Sequence, residues 1–280
     1  MNLQTGAFRN LLYNLVRRDL TVRYKSTVLG FFWSFIKPLA MTGIFYVVFK
    51  LVLDMSLAET QVPYTLHLLV GMLAWSFFAG ATSEAMGVML ANANLIKKVR
   101  LPLVVFPMAT VISHLVHFLL GLVVLGGLML VAGLAPGPAC LLIFPIMLLE
   151  AALVMAMAMI LSALNVFWRD VGSIWEVFTT AWFYLTPIIY PFYEVGKKLD
   201  SMGWRWLEWV YLANPLAPIM IAYRRALLYG SLETIDPNKL ELVDIQLMKS
   251  VGLSVFMTSI LFFIGWNIFS KFSRSFADEL

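Results

Sequence analysis

The sequence predicts an all-α integral membrane protein with six transmembrane helices and both termini on the cytoplasmic side. Three observations carry this. Apolar residues make up 61% of the 280 residues and charged residues only 13%, against about 45–50% and about 25% in ordinary globular domains. The apolar residues fall in runs long enough to cross a bilayer, which takes about 20 residues. The basic residues collect in alternate connections between those runs, the pattern that orients a membrane protein. A net charge of +4 spread in this way is no nucleic-acid patch. One cysteine, Cys140, rules out an intrachain disulfide. No metal-ligand spacing occurs. The first long apolar run begins near Phe31, too deep and too long for a signal peptide, so insertion without cleavage is expected.

The six runs are Phe31–Leu53, Thr65–Leu90, Leu103–Ala132, Ala139–Val166, Val171–Tyr190 and Ser250–Phe272. Only Trp168-Arg169-Asp170 separates the fourth from the fifth. Arg9, Arg17, Arg18, Arg23 and Lys25 precede the first run, and Lys97, Lys98 and Arg100 follow the second. Arg169 follows the fourth, and Lys271 and Arg274 end the sixth. The connections Asp54–Pro63 and Gly133–Pro138 carry no basic residue. The positive-inside rule places both termini in the cytoplasm. A segment 1–30, a transmembrane domain 31–272 and a tail 273–280 follow from this division.

Before the first run, Phe8, Leu11, Leu12, Leu15, Val16 and Leu20 recur at helical spacing, with Arg9, Arg17, Arg18, Asp19 and Arg23 tending to the other side. That is an amphipathic interfacial helix, serving as an anchor or a docking element. The long fifth connection, Pro191–Lys249, opens with Trp204, Trp206, Trp209 and Tyr211 among mixed charges, a composition suited to the membrane interface. After Asn214-Pro215-Leu216-Ala217-Pro218 comes Ile219–Tyr229, interrupted by Arg224 and Arg225 and too short to span. Such a segment reads as re-entrant or interfacial, tolerated at depth only when buried in protein or facing water. Glu233–Asp244 is a polar loop.

No phosphate loop is present; Gly196-Lys197-Lys198 lacks the upstream glycine and the hydroxyl residue. No nucleophile elbow or zinc-protease motif occurs either. If ATP drives this protein, another chain binds it. Ionisable groups inside runs are functional candidates by default. Here these are Glu84, Glu150, Glu176 and the pair His114 and His117, which share a helix face. Each also fits a plain paired or helix-end role, and both readings stand. Two stripes mix hydroxyls and aromatics: Ser34, Pro38, Thr42, Phe45 and Phe49 in the first run, and Glu176, Thr179, Thr180, Phe183, Thr186, Pro187 and Tyr190 in the fifth. Such faces suit helix–helix packing or the lining of a path for an amphiphilic substrate such as a glycan. The connection Asn92–Pro102 sets Leu95, Ile96 and Val99 among Lys97, Lys98 and Arg100. It is either a bare positive-inside loop or a docking element whose apolar residues enter a partner's groove.

The motifs Arg17-Arg18-Asp19-Leu20, Val22-Arg23-Tyr24-Lys25, Val28-Leu29-Gly30-Phe31-Phe32-Trp33-Ser34 and Lys37-Pro38-Leu39 resemble the opening of permease subunits of type-2 ABC exporters for cell-surface polysaccharides. Asn94–Pro102, Leu164–Val171, Thr186–Pro191 and Asn214-Pro215-Leu216 resemble the same family in order along the chain. The resemblance implies a homodimer with two ATP-binding-cassette ATPase subunits on its cytoplasmic side. ATP and Mg would be held by those subunits, with no cofactor in this chain. It implies that Leu95, Ile96, Lys97, Lys98, Val99 and Arg100 form the coupling element. Both stripes would line a channel, and Trp204, Trp206, Trp209, Tyr211, Arg224 and Arg225 would belong to outer gate helices. The substrate would be a glycan on a polyprenyl pyrophosphate, O-antigen foremost, and the location the bacterial inner membrane. Arg17, Arg18, Arg23 and Lys25 would meet the pyrophosphate head, since arginine and lysine match phosphate oxygens; contact with anionic phospholipid explains them as well. A permease for a drug or lipid is the near alternative. A membrane-embedded acyl or glycosyl transferase is the alternative from another class.

Overall fold

The structure is a computed structural model that describes residues 5–24, 33–52, 62–99, 101–204, 206–229 and 244–280. Lys25, Arg100, most of the first outer connection and nearly all of the polar loop lie outside the described residues, as do the side chains of Arg23 and Ser34.

The described chain is helical, with no strand among these residues. Four helices are long and apolar enough to cross a membrane: Tyr64–Ala91 (α3), Val105–Val131 (α5), Pro138–Phe167 (containing α6, Ile143–Phe167) and Gln246–Phe272, within α11 (Asp244–Phe272). They coincide with the second, third, fourth and sixth apolar runs within a few residues. The first run appears as α2 (Trp33–Phe45), with Pro38 inside it, continued by a π-helical segment, Tyr46–Val52. The fifth appears as α7 (Val171–Leu185), five residues shorter than expected. Thr186-Pro187 ends it, because proline disfavours the α conformation in the residue before it. The three-residue break between the fourth and fifth runs is real: α6 stops at Phe167 and α7 begins at Val171.

α3 is the central post, with α2, α5, α6 and α7 packed on it, and α11 packs on the far side of α6. α6 and α11 come very close, since a Cβ on Gly265 would sit 2.7 Å from the Ala156 carbonyl oxygen. Small residues permit this approach, as membrane helix pairs require.

The N-terminal helix α1 (Thr5–Tyr24) lies along α5. Its apolar stripe, Phe8, Leu11, Leu12, Leu15 and Val16, joins a hydrophobic cluster with α5, the end of α6 and the end of α11. The short α4 (Ala93–Lys98) and α12 (Phe276–Glu279) belong to the same cluster through Ile96 and Phe276. The segments carrying Arg9, Arg17, Arg18, Lys97, Lys98, Arg169, Lys271 and Arg274 are thus gathered at one end of the bundle.

At the other end, α8 (Phe192–Ser201) and α9 (Leu207–Leu212) pack on one another. α10 (Leu216–Arg224) and its π-helical extension Arg225–Tyr229 sit between α3, α6 and α11, buried throughout except at half-buried Arg225. Too short to span, this helix is enclosed by protein, as a non-spanning segment at depth must be.

Candidate functional site

Three regions hold the residues singled out above, and each is built differently.

At the basic end, α4 presents two faces. Ile96 is 7% exposed and packs with Leu15, Phe106 and Phe276, while Val99 is 46% exposed beside exposed Lys97 and Lys98. Leu95 is half-buried at the edge of the same cluster. Within the chain, Leu95, Ile96 and Val99, expected to enter a partner together, differ in exposure. Ile96 anchors α4 to its own bundle, and Val99 and the two lysines are exposed. The reason is geometric: Val99 lies past the six-residue helix in extended backbone (φ −133°, ψ 131°), so it leaves the face that Ile96 turns toward α12.

Among the arginines at this end, Arg17 is exposed, and Arg18 donates to Asn92 Oδ1 at 2.9 Å and to Asp19 Oδ1 at 3.0 and 3.2 Å. Nothing in the sequence marks Asn92 beyond its place at the start of the connection.

The two stripes meet on α3. Phe45 stacks on Phe183 with ring centroids 5.7 Å apart, and Phe183 meets Trp75 edge-on at 5.4 Å. Pro38 and Thr42 are buried, and Phe49 is half-buried 6.0 Å from Phe45. On α7 the stripe divides. Glu176 and Thr180 lie exposed on the protomer's surface, whereas Thr179 and Thr186 are buried. The hydroxyls of Thr179, Thr180 and Thr186 each donate to a carbonyl one turn back, at 2.7, 2.8 and 2.8 Å, so they need no partner on another helix. The exposed strip of α7, Ile174, Glu176, Val177, Thr180 and Tyr184, is the part free to face another body. Half-buried Tyr190 bonds through its hydroxyl to the Tyr184 carbonyl and to the Tyr211 hydroxyl, at 2.7 and 2.8 Å. It thus ties the end of α7 to α9.

The end opposite the basic one is held by a buried polar layer. Arg224 is fully buried, and its Nη2 donates to the Ile188 carbonyl at 2.7 Å. The next carbonyl, Ile189, accepts from the Tyr64 hydroxyl at 2.8 Å. Both peptide groups follow Thr186-Pro187, where the end of a helix leaves carbonyls without partners. Gly71 clears the space, since a Cβ there would lie 2.9 Å from Arg224 Nη2 and 3.1 Å from the Ile188 oxygen. Tyr64, His67 and Gly71 occupy one face of α3, and His67 is fully buried against Tyr64. Beside this layer Tyr223 donates to fully buried Glu150 at 2.8 Å. Arg224 and Arg225 thus have unequal roles, which the sequence did not separate. His67 and Gly71 were missed because neither forms a motif with its sequence neighbours.

Asn214 joins the same region. Its Oδ1 accepts from Trp182 Nε1 at 2.8 Å and from the Leu216 amide at 3.1 Å, and its Nδ2 donates to Thr186 Oγ1 at 3.0 Å. One side chain therefore caps α10 and staples it to the end of α7. Asn214→Ala should cost about 1–2 kcal/mol, read as a lower unfolding temperature of the purified protein, with Asn214→Asp costing less because it keeps the two acceptor contacts. Trp204, Trp206 and Trp209 are exposed around α8 and α9, with Tyr211 half-buried between Phe192 and Tyr190.

Of the ionisable candidates, Glu84, His114 and His117 come together. His114 Nε2 lies 3.0 Å from Glu84 Oε2, and His117 meets the His114 ring edge-on at 6.2 Å. Among the described residues no group of three or more His, Cys, Asp or Glu side chains could hold a metal ion.

The ABC-2 type transporter family matches residues 10–228. Two proteins of Klebsiella pneumoniae named O-antigen export system permease protein RfbA are 29% and 31% identical to the chain, covering 100% of it and 98% of each relative. A protein of the same name from Myxococcus xanthus is 28% identical, covering 98% of the chain and 96% of the relative. With a family match over most of its length and relatives aligned nearly end to end, this chain belongs to the ABC-2 type transporter family, as a membrane permease.

Proposed function

We propose that this chain is the membrane-spanning permease of an exporter that carries lipid-linked O-antigen across the bacterial inner membrane, powered by ATP hydrolysis in separate subunits. The observation that carries the reading is the end-to-end alignment with relatives named for O-antigen export.

The fold accommodates six spans and cytoplasmic termini. α2 with its π-helical continuation supplies the first span. α7 supplies the fifth, its 15 residues covering about 22 Å and the buried turn after it extending the path. Two copies pair so that the exposed strip of α7 and the neighbouring face of α2 border a channel. ATP-binding-cassette subunits, which hold ATP and Mg, dock on exposed Val99, Lys97 and Lys98. α8, α9 and α10 form the outer gate, with Trp204, Trp206 and Trp209 at its rim. Exposed Arg17 meets the pyrophosphate of the carrier lipid, together with Arg23 and Lys25.

The test is complementation of a strain lacking its own O-antigen permease, with this chain and the ATPase encoded beside it. Long-chain O-antigen should return to the cell surface, and an ATPase variant unable to hydrolyse ATP should prevent this. An assembled, membrane-inserted complex that restores nothing would overturn the substrate assignment.

A further inference from the structure

Asn92 is the joint between α3 and α4. Its side-chain amide donates to the Val88 carbonyl at 2.8 Å, closing α3. Its own carbonyl accepts from the Leu95 and Ile96 amides at 3.0 and 3.1 Å, opening α4. Its remaining polar atom, Oδ1, accepts from Arg18 on α1 at 2.9 Å, although the two residues are 74 positions apart. Asn92 is only 7% exposed, so this charge-assisted bond is partly shielded from water. Directly beneath, Leu15 of α1 and Ile96 of α4 share one hydrophobic cluster.

A cavity of about 380 Å³ beside the joint is lined by Arg18, Asp19, Val22, Glu84, Ala91 and Asn92. Its walls hold one guanidinium against two carboxylates, a lining that repels a phosphate. Arg18 is already engaged by Asp19 and Asn92. The bond to Asp19, its chain neighbour, ties no elements together; the bond to Asn92 does.

We propose that Arg18 and Asn92 are positioning residues that make α1 and the docking segment α4 one mechanical unit, so that a displacement of α4 by the ATPase is carried into α1 and the α5 helix beneath it. This rests on the permease reading above, and it removes Arg18 from the set that meets the lipid pyrophosphate. The directional hydrogen bond from Arg18 to the Asn92 joint orients α4 against α1, while one hydrophobic cluster with α5 and α12 covers the apolar sides of both. Losing the bond leaves α4 docked but free to turn without α1.

The experiment uses the full chain assembled with its ATPase in proteoliposomes, reading ATP hydrolysed and lipid-linked glycan exported side by side. Arg18→Gln and Asn92→Leu should each keep ATPase co-purification and basal hydrolysis while export falls about tenfold, the equivalent of one charge-assisted hydrogen bond. The double variant should be no worse than the poorer single one, since both remove the same contact. A silent Asn92→Leu beside an impaired Arg18→Gln would return Arg18 to a ligand role, and additive losses would show two separate roles; either result overturns the tie. As a second readout, Cys140→Ser removes the native thiol, and Arg18→Cys with Asn92→Cys allows a reducible cross-link through a bifunctional thiol reagent that spans the length of the lost arginine side chain. Export should be low when reduced and should recover when linked. A linked protein no better than its reduced form would also overturn the proposal. ATP-driven export by the wild-type complex tests the permease reading by itself, so the two failures are distinguishable.

Discussion

Arg224→Ala should destabilise the protein by about 3 kcal/mol, the largest single-residue effect expected in the half of the bundle that carries α8, α9 and α10. The substitution removes a long, fully buried side chain and leaves the Ile188 carbonyl without its donor in a region that water does not reach. A cavity and an unsatisfied peptide group add together here. The Ile188–Ile189 backbone would lose one of its clamps, while the Tyr64 hydroxyl still holds Ile189. Thermal unfolding of the detergent-solubilised protein measures this. Arg224→Lys should fall between, because an ammonium supplies charge but not the planar fork of the guanidinium. Arg225→Ala should cost clearly less, since Arg225 is only half-buried. Equal losses at 224 and 225 would mean that the buried layer is not what holds the turn. Gly71→Val provides a check from the other side. It leaves Arg224 in place but puts side-chain atoms where its guanidinium lies, so it should approach the Arg224→Ala phenotype.

Val99→Asp should abolish co-purification of the ATPase while leaving the chain inserted and folded. A charge placed in an apolar docking groove is desolvated without a partner, and Val99 is exposed on the protomer, so the free chain pays nothing for it. Ile96→Asp should give a different phenotype. Its new carboxylate, buried against Leu15 and Phe276, would disrupt the cluster that unites α1, α4 and α12, lowering stability and yield before docking is tested. Pull-down of the ATPase, with monodispersity on gel filtration as the folding control, separates the two. Intact pull-down with Val99→Asp would move the docking surface away from α4. Lys97→Glu with Lys98→Glu should weaken the complex in a salt-dependent way, as exposed charges steer association.

Helix positions were legible in the sequence to a degree that residue roles were not. The polar break at Trp168–Asp170 is where α6 ends and α7 begins. The amphipathic stripe from Phe8 to Val16 is a helix with that face covered. The stretch after Asn214-Pro215 is a buried helix that cannot span. A bilayer explains this legibility. Backbone amides in hydrocarbon must be satisfied within the segment, so a long apolar run can only be a helix. α7 ends short of Tyr190 because Thr186-Pro187 carries a backbone constraint that a hydropathy count does not weigh.

The split between Ile96 and Val99, the inequality of Arg224 and Arg225, and the tie between Arg18 and Asn92 emerge only in three dimensions. In each case the deciding neighbour is distant in the chain: Leu15 and Phe276 around Ile96, Ile188 and Gly71 around Arg224, and Arg18 for Asn92. A helical, multi-pass membrane protein can be read from the chain alone, because composition and run length are properties of single segments. Which face of a helix is covered, and which polar atom finds its partner, depends on how segments pack. In this protein those contacts separate the residues that brace the bundle from those left to meet a partner.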